Sequence, residues 1–260
     1  MHQRCLHKGG SAKMLEKLYK KSEVWFAVII IIAYVIGNSY LIQLSDSTGL
    51  EMVYTIPYNL VLLGMMFAFI GKRHLFEYYG INRVRCKAKR LLYYVPLAVI
   101  ATVNIWFGIC FKMKLLATAI YFVAMIITGF VEELLFRGLL FQAMSKSNIR
   151  SAIIVTSITF GIGHIVNLVN GSSTDYVATI CQIFYAIAIG YLLAAVLYVG
   201  KSLIPCIITH SMLNALSSFS NEVLINKMQI PVSIILCVVS CVSATWIFRN
   251  EKNRRNAETG

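Results

Sequence analysis

Five ionisable side chains lie inside otherwise apolar stretches of this 260-residue chain: Glu132, Glu133, Arg137, His164 and His210. A charged residue at mid-bilayer costs about 2.5–3.5 kcal/mol on insertion scales, so each needs a partner or a task. Glu133 and Arg137 stand four apart and can pair on one helical face. Glu132 projects about 100° away from Glu133 on a helix, so one carboxylate can be neutralised while the other stays available. His210 and Asn214 also stand four apart and share a face. His164 follows Phe160 by four positions and precedes Asn167 by three. A carboxylate and imidazoles in a low-dielectric pocket are tools for activating water. Glu132 would be the general base, and His164 would orient the water or share its proton. His210 and Asn214 would offer donors to a developing oxyanion. Such a set suits hydrolysis of an amide or ester bond. Ser211 adjoins His210 but points about 100° away on a helix, and the chain has no GxSxG, so a serine nucleophile is disfavoured. The same residues permit a metal reading, with Glu132, His164 and His210 as N/O ligands and water in the fourth position of a zinc-type site. No HExxH is present, and spacing does not separate the two mechanisms.

The elements that must position these groups are membrane helices. Of the residues, 58% are hydrophobic and 13% charged, where a soluble domain carries about 25% charged residues. This composition excludes a soluble globular domain, a disordered chain and a nucleic-acid-binding module. The net charge of +13 then belongs at a membrane surface. Eight apolar stretches approach the roughly 20 residues that a spanning helix needs: 24–44, 52–71, 91–111, 115–141, 151–169, 177–199, 203–219 and 230–248. The second and seventh are the weakest. Number the segments outside the spans in chain order. The odd ones carry 20 Lys and Arg and the even ones 3, which predicts a cytoplasmic odd side, with both termini there. Counted from that side, Glu132, His164 and His210 sit about 15, 20 and 12 Å deep. Three helices thus bring polar groups to similar depth.

The expected fold is all-α and polytopic, with about eight transmembrane helices and the polar groups inside the bundle. Residues 1–23 form a basic cytoplasmic segment, 24–248 the membrane domain and 249–260 a cytoplasmic tail. Ser11–Lys21 reads either as a surface helix with Met14, Leu15 and Leu18 toward lipid or as a solvated basic tail. The basic loop 72–90 reads as a topology signal. No cleavable signal peptide is expected, because the first 23 residues are long and basic and no small-residue cleavage site follows the first apolar run. Seven scattered cysteines without a CxxC suggest neither a disulfide framework nor a thiolate metal site. Membrane carboxylates and histidines also make ion relays, but no internal repeat supports a transporter.

Glu132-Glu133-Leu-Leu-Phe-Arg137 resembles the EExxxR motif of the CAAX-protease and bacteriocin-processing family, also called CPBP or Abi. Phe160-Gly-Ile-Gly-His164 resembles its FxxxH motif and His210-Ser-Met-Leu-Asn214 its HxxxN motif, in the family's order. The resemblance covers a core of residues 115–220. It implies an all-helical intramembrane endopeptidase in which Glu132, His164, His210 and Asn214 form the catalytic set. Glu133 and Arg137 would be a structural ion pair beside it, and Phe160 and Asn167 would support it. Family members have been described as metalloproteases, and a glutamate-dependent, metal-free mechanism has also been argued; the latter is favoured here, with zinc the alternative cofactor. Relatives cleave prenylated CAAX proteins or are linked to bacteriocin self-immunity or pheromone maturation. The compact chain resembles the bacterial members, so the expected partner is a small membrane-associated peptide at the plasma membrane, with no nucleic acid involved. A non-catalytic immunity or scaffold protein is the alternative.

Overall fold

A computed structural model describes residues 10–81, 92–169 and 175–259. Residues 1–9 and the part 82–90 of the basic loop 72–90, with Cys5 and Cys86, therefore lie outside the described residues. The helices, in chain order, are α1 (Gly10–Lys21), α2 (Glu23–Asp46), α3 (Thr55–Lys72), α4 (Val95–Ala101), α5 (Leu115–Glu133), α6 (Gln142–Ser145), α7 (Ile149–Gly163), α8 (Val166–Val169), α9 (Tyr176–Gly200), α10 (Ile204–Leu216), α11 (Glu222–Lys227) and α12 (Gln229–Thr259). A π-helix, Leu134–Phe141, joins α5 to α6 without a break. The chain is an all-α, multi-pass membrane protein.

Side-chain caps start three long helices. Ser22, Asn148 and Asp175 are extended and accept hydrogen bonds from the first free backbone N–H groups of α2, α7 and α9, donors that the helix itself cannot satisfy. Lys201 ends α9 in the left-handed conformation, at φ 55°.

Six of the eight apolar stretches are helices long and apolar enough to cross a membrane: Glu23–Asp46, Thr55–Lys72, Leu115–Ser145, Ile149–Val169, Tyr176–Gly200 and Gln229–Ala257. The stretches at 91–111 and 203–219 are shorter helices. The first is helical over Leu92–Ala101, then passes through a 3₁₀ turn at Val103–Ile105 and a bridge between Ile109 and Ser220. The second is the 13-residue α10. The two stretches meet neighbouring segments at both of their ends. Gly200 lies against Tyr94, and the Leu203 N–H donates to the Gly80 carbonyl at 2.7 Å. At the far ends the Cys110 N–H donates to Phe219 O at 2.8 Å, and Lys112 pairs with Glu222 at 2.8 Å. The segments predicted on the cation-rich side also meet one another. Arg73 pairs with Glu16 at 3.0 Å and Lys146 with Glu23 at 2.7 Å, while the Tyr78 hydroxyl donates to Glu23 at 2.8 Å.

One sequence reading of α1 is corrected by packing. Met14 is exposed, but Leu15 and Leu18 rest against the core of the bundle, and Tyr19 meets Phe26 and Phe69 edge-on. The apolar face of α1 covers the end of α2 and α3 instead of facing lipid.

Two glycines set the closest helix approaches. A Cβ on Gly129 would stand 2.7 Å from the Ser211 backbone, and one on Gly161 would stand 2.8 Å from the Ile183 carbonyl. α5 therefore lies directly on α10, and α7 on α9. Small residues permit this in membranes, where close packing replaces the hydrophobic effect between helices.

Candidate active site

The site is built where α5 gives way to the π-helix. Pi-helical turns widen the helix and recur at functional sites. Here the widening follows directly after Glu132 and Glu133 and carries Arg137. Glu133 and Arg137 are fully buried, with Arg137 Nη1 2.9 Å from Glu133 Oε1. The guanidinium lies over the Phe160 ring, 4.1 Å from its centre, a cation–π contact that gains strength when desolvated. Gly190 makes room behind it, since a Cβ there would meet Arg137 Nη2 at 2.9 Å. Phe160 thus supports the cation and also the histidines: the rings of His164 and His210 each meet it edge-on at 5.3 Å.

His210 connects the two glutamates. Its Nδ1 is 2.9 Å from Glu133 Oε1 and its Nε2 is 3.4 Å from Glu132 Oε2. The other Glu132 oxygen accepts a 2.8 Å hydrogen bond from the Tyr34 hydroxyl on α2. A neutral imidazole has one N–H, yet His210 faces carboxylates on both sides. With Glu133 ionised against Arg137, Nδ1 is the donor to Glu133. The His210 Nε2 edge faces Glu132 Oε2 at 3.4 Å. A proton placed on either His210 Nε2 or Glu132 leaves the sum over Glu132, Glu133, Arg137 and His210 at zero when Glu133 and Arg137 are ionised.

Glu132, His164, His210 and Asn214 all line one cavity of about 730 Å³, as do Phe160 and Asn167. Glu133 and Arg137 lie behind its wall. The His164 ring, at the C-terminal cap of α7, and the Asn214 side chain have no hydrogen-bond partner among the described residues, and both residues line the cavity. Asn167 is tied to Gln182 of α9 at 3.1 Å. His210 and Asn214 share a wall of α10, but His210 has both ring nitrogens turned to carboxylates. The Asn214 amide and the His164 ring, unlike His210, have no side chain already engaging them.

The metal reading does not fit this arrangement. Among the described residues no group of three or more His, Cys, Asp or Glu side chains is placed to hold an ion. Glu132, His164 and His210 do not form such a group.

Two contributions were missed by motif reading. Tyr34 belongs to none of the three motifs, though a tyrosine at the centre of an apolar span and four positions before Asn38 is a usable signal. Asn38 and Asn59 exchange two side-chain hydrogen bonds of 3.1 Å, fixing α2 on α3 beside Tyr34.

Residues 114–216 match the family model described as type II CAAX prenyl endopeptidase Rce1-like. The matched segment contains all three motifs, in agreement with the resemblance to the CAAX-protease and bacteriocin-processing family. No curated protein and no solved structure matches the chain.

Proposed function

We propose that this protein is an intramembrane endopeptidase in which Glu132 activates water against a peptide bond of a membrane-associated peptide. The match to a CAAX endopeptidase family supports the protease class. The observation that carries the residue-level reading is the shared cavity. Four polar residues from three helices, far apart in sequence, line it, and a neutralised ion pair stands behind them.

With a proton on His210 Nε2, Glu132 is ionised and held by the Tyr34 hydroxyl and the His210 imidazolium. A water between Glu132 and the scissile carbonyl transfers a proton to the carboxylate as its oxygen attacks the carbonyl carbon. The resulting oxyanion accepts hydrogen bonds from the Asn214 amide and His164. Glu132 then gives its proton to the departing amide nitrogen as the C–N bond breaks. Phe160 holds both imidazoles, and Glu133 with Arg137 fixes the orientation of His210.

In this reading the protein sits in the plasma membrane, and the 20-to-3 charge asymmetry supports cytoplasmic termini. The substrate is a small membrane-associated peptide of the bacteriocin or pheromone kind. The test is cleavage of a membrane-peptide library in liposomes, read by mass spectrometry, for the wild type and Glu132→Gln. Cleavage by the wild type alone supports the proposal. Cleavage by both removes Glu132 as the base. If Glu132→Gln still protects cells from a bacteriocin, the alternative of a non-catalytic immunity or scaffold protein takes its place.

A further inference from the structure

The cavity occupies only one half of the bundle. On α2 its lining runs from Tyr34, near mid-helix, to Asp46 at the C-terminal end. On α5 it runs from Tyr121 down to Glu132, and on α12 it covers Gln229 to Leu236, the first two turns. Each of these helices approaches the cavity from the same end. That end carries Glu51, the Ile109–Ser220 bridge and the Lys112–Glu222 pair. It is the cation-poor end, with three Lys and Arg against four Asp and Glu in its connecting segments.

The charge of the lining is equally one-sided. Asp46 and Glu51 line the mouth and Glu132 the depth, while no lysine or arginine lines the cavity among the described residues. Lys112, one of the three cations at this end, is engaged by Ser217 O, Ser220 Oγ and Glu222 Oε1. A narrow cleft with low-dielectric walls and charge of one sign concentrates ligands of the opposite sign about tenfold or more.

We infer that the site is reached from the extracytoplasmic face, through the cation-poor end of the bundle, and that Asp46 and Glu51 select a peptide carrying basic residues. This deepens the protease reading by naming the side of access and the charge of the substrate. The labelling test needs no catalysis, so its failure is distinct from a failure of that reading.

Cys181 lines the cavity and is partly exposed, which makes it a built-in reporter. The test uses the full chain with Cys181 as its only cysteine, and a second chain carrying Ser39→Cys in its place, since Ser39 also faces the cavity. Ser147→Cys, on the exposed turn at the cation-rich end, serves as the control for sidedness. Right-side-out and inverted membrane vesicles are treated with two impermeant methanethiosulfonates, one bearing trimethylammonium and the other sulfonate. Rates are divided by those for a free thiol in solution.

Both cavity reporters are expected to react at least about tenfold faster in right-side-out vesicles, and the control in inverted ones. The normalised preference for the cationic reagent is expected to be about tenfold and to fall to about twofold in Asp46→Asn with Glu51→Gln. Labelling of both cavity positions from the cytoplasmic side, from both sides equally, or from neither side overturns the direction of access. A preference near one, or one unchanged by the double substitution, overturns the charge selection.

Discussion

Replacing Arg137 by Met tests the division of labour between the two glutamates most directly. Arg137 and Glu133 are both fully buried, 2.9 Å apart, and Glu133 Oε2 has no hydrogen-bond partner among the described residues. Removing the guanidinium strands a carboxylate in a low-dielectric interior, which costs about 3–5 kcal/mol for a buried pair. The lost contact with the Phe160 face, 4.1 Å from the guanidinium, falls within the same measurement and contributes up to about 2 kcal/mol. For a chain of this size that corresponds to a fall in Tm of about 10 °C or more. Adding Glu133→Gln removes the stranded charge and is expected to recover most of the loss, since replacing both members of a buried pair is often close to neutral. Arg137→Lys keeps the charge but not the planar fork on Phe160, and should fall between. The assay is thermal unfolding in detergent, followed by fluorescence-detected size exclusion, for the wild type, the two single variants and the double. A single Arg137→Met variant as stable as the wild type would refute the reasoning. So would a double variant no better than the single one, because the cost would then lie in packing instead of charge.

Further outcomes follow from the same geometry. Tyr34→Phe removes a 2.8 Å hydrogen bond to Glu132, worth about 1.5–3 kcal/mol for a charged acceptor. Turnover should drop about tenfold to a hundredfold with the Tm little changed, and unchanged turnover would remove Tyr34 from the site. Asn214→Ala should lower kcat more than it raises KM in peptide-cleavage kinetics, as an oxyanion donor does; a pure KM effect would assign Asn214 to binding. Gly129→Leu forces α5 away from the Ser211 backbone and should abolish a monodisperse detergent elution peak. Strong chelation should leave turnover unchanged, because no three-ligand group is assembled among the described residues. Chelator-sensitive turnover restored by zinc would refute that reading.

Membrane helices made much of this site legible without coordinates. In spans so apolar, Glu132, Glu133, Arg137, His164 and His210 stand out because solvation cost forbids idle charge. The four-residue spacings then hold within each helix, as Glu133 and Arg137 do. Relations between helices were less legible. Spacing placed His210 beside Asn214 but could not reveal that both its nitrogens meet carboxylates, since that depends on how closely α5 lies on α10. Tyr34 was hidden for a different reason. The first half of α2 is apolar on all sides, so only the Tyr34–Asn38 spacing marks the face turned inward. Hydropathy also overstated regularity at 91–111, where the apolar run continues past Ala101 although the helix does not. The helix-to-π transition after Glu133 left no trace in residue types, because all eight π-helical residues are buried and six of them are aliphatic or aromatic.

The half of the bundle without a cavity has an electrical consequence. Below Glu132 the interior is filled by Leu134, Leu135, Leu139, Leu192 and Leu197, each at most 2% exposed. Filled with water, a well that ends blind at mid-membrane would thin the insulating layer, and most of the transmembrane voltage would fall across this leucine plug. Arg137 and Glu133 sit within the plug as a neutral pair and carry no net charge for that field to move. A proton passed between Glu132 and His210 travels at the bottom of the well, above the insulator. The packing that holds the ion pair thus also keeps a site built from proton-exchanging groups from short-circuiting the membrane around it.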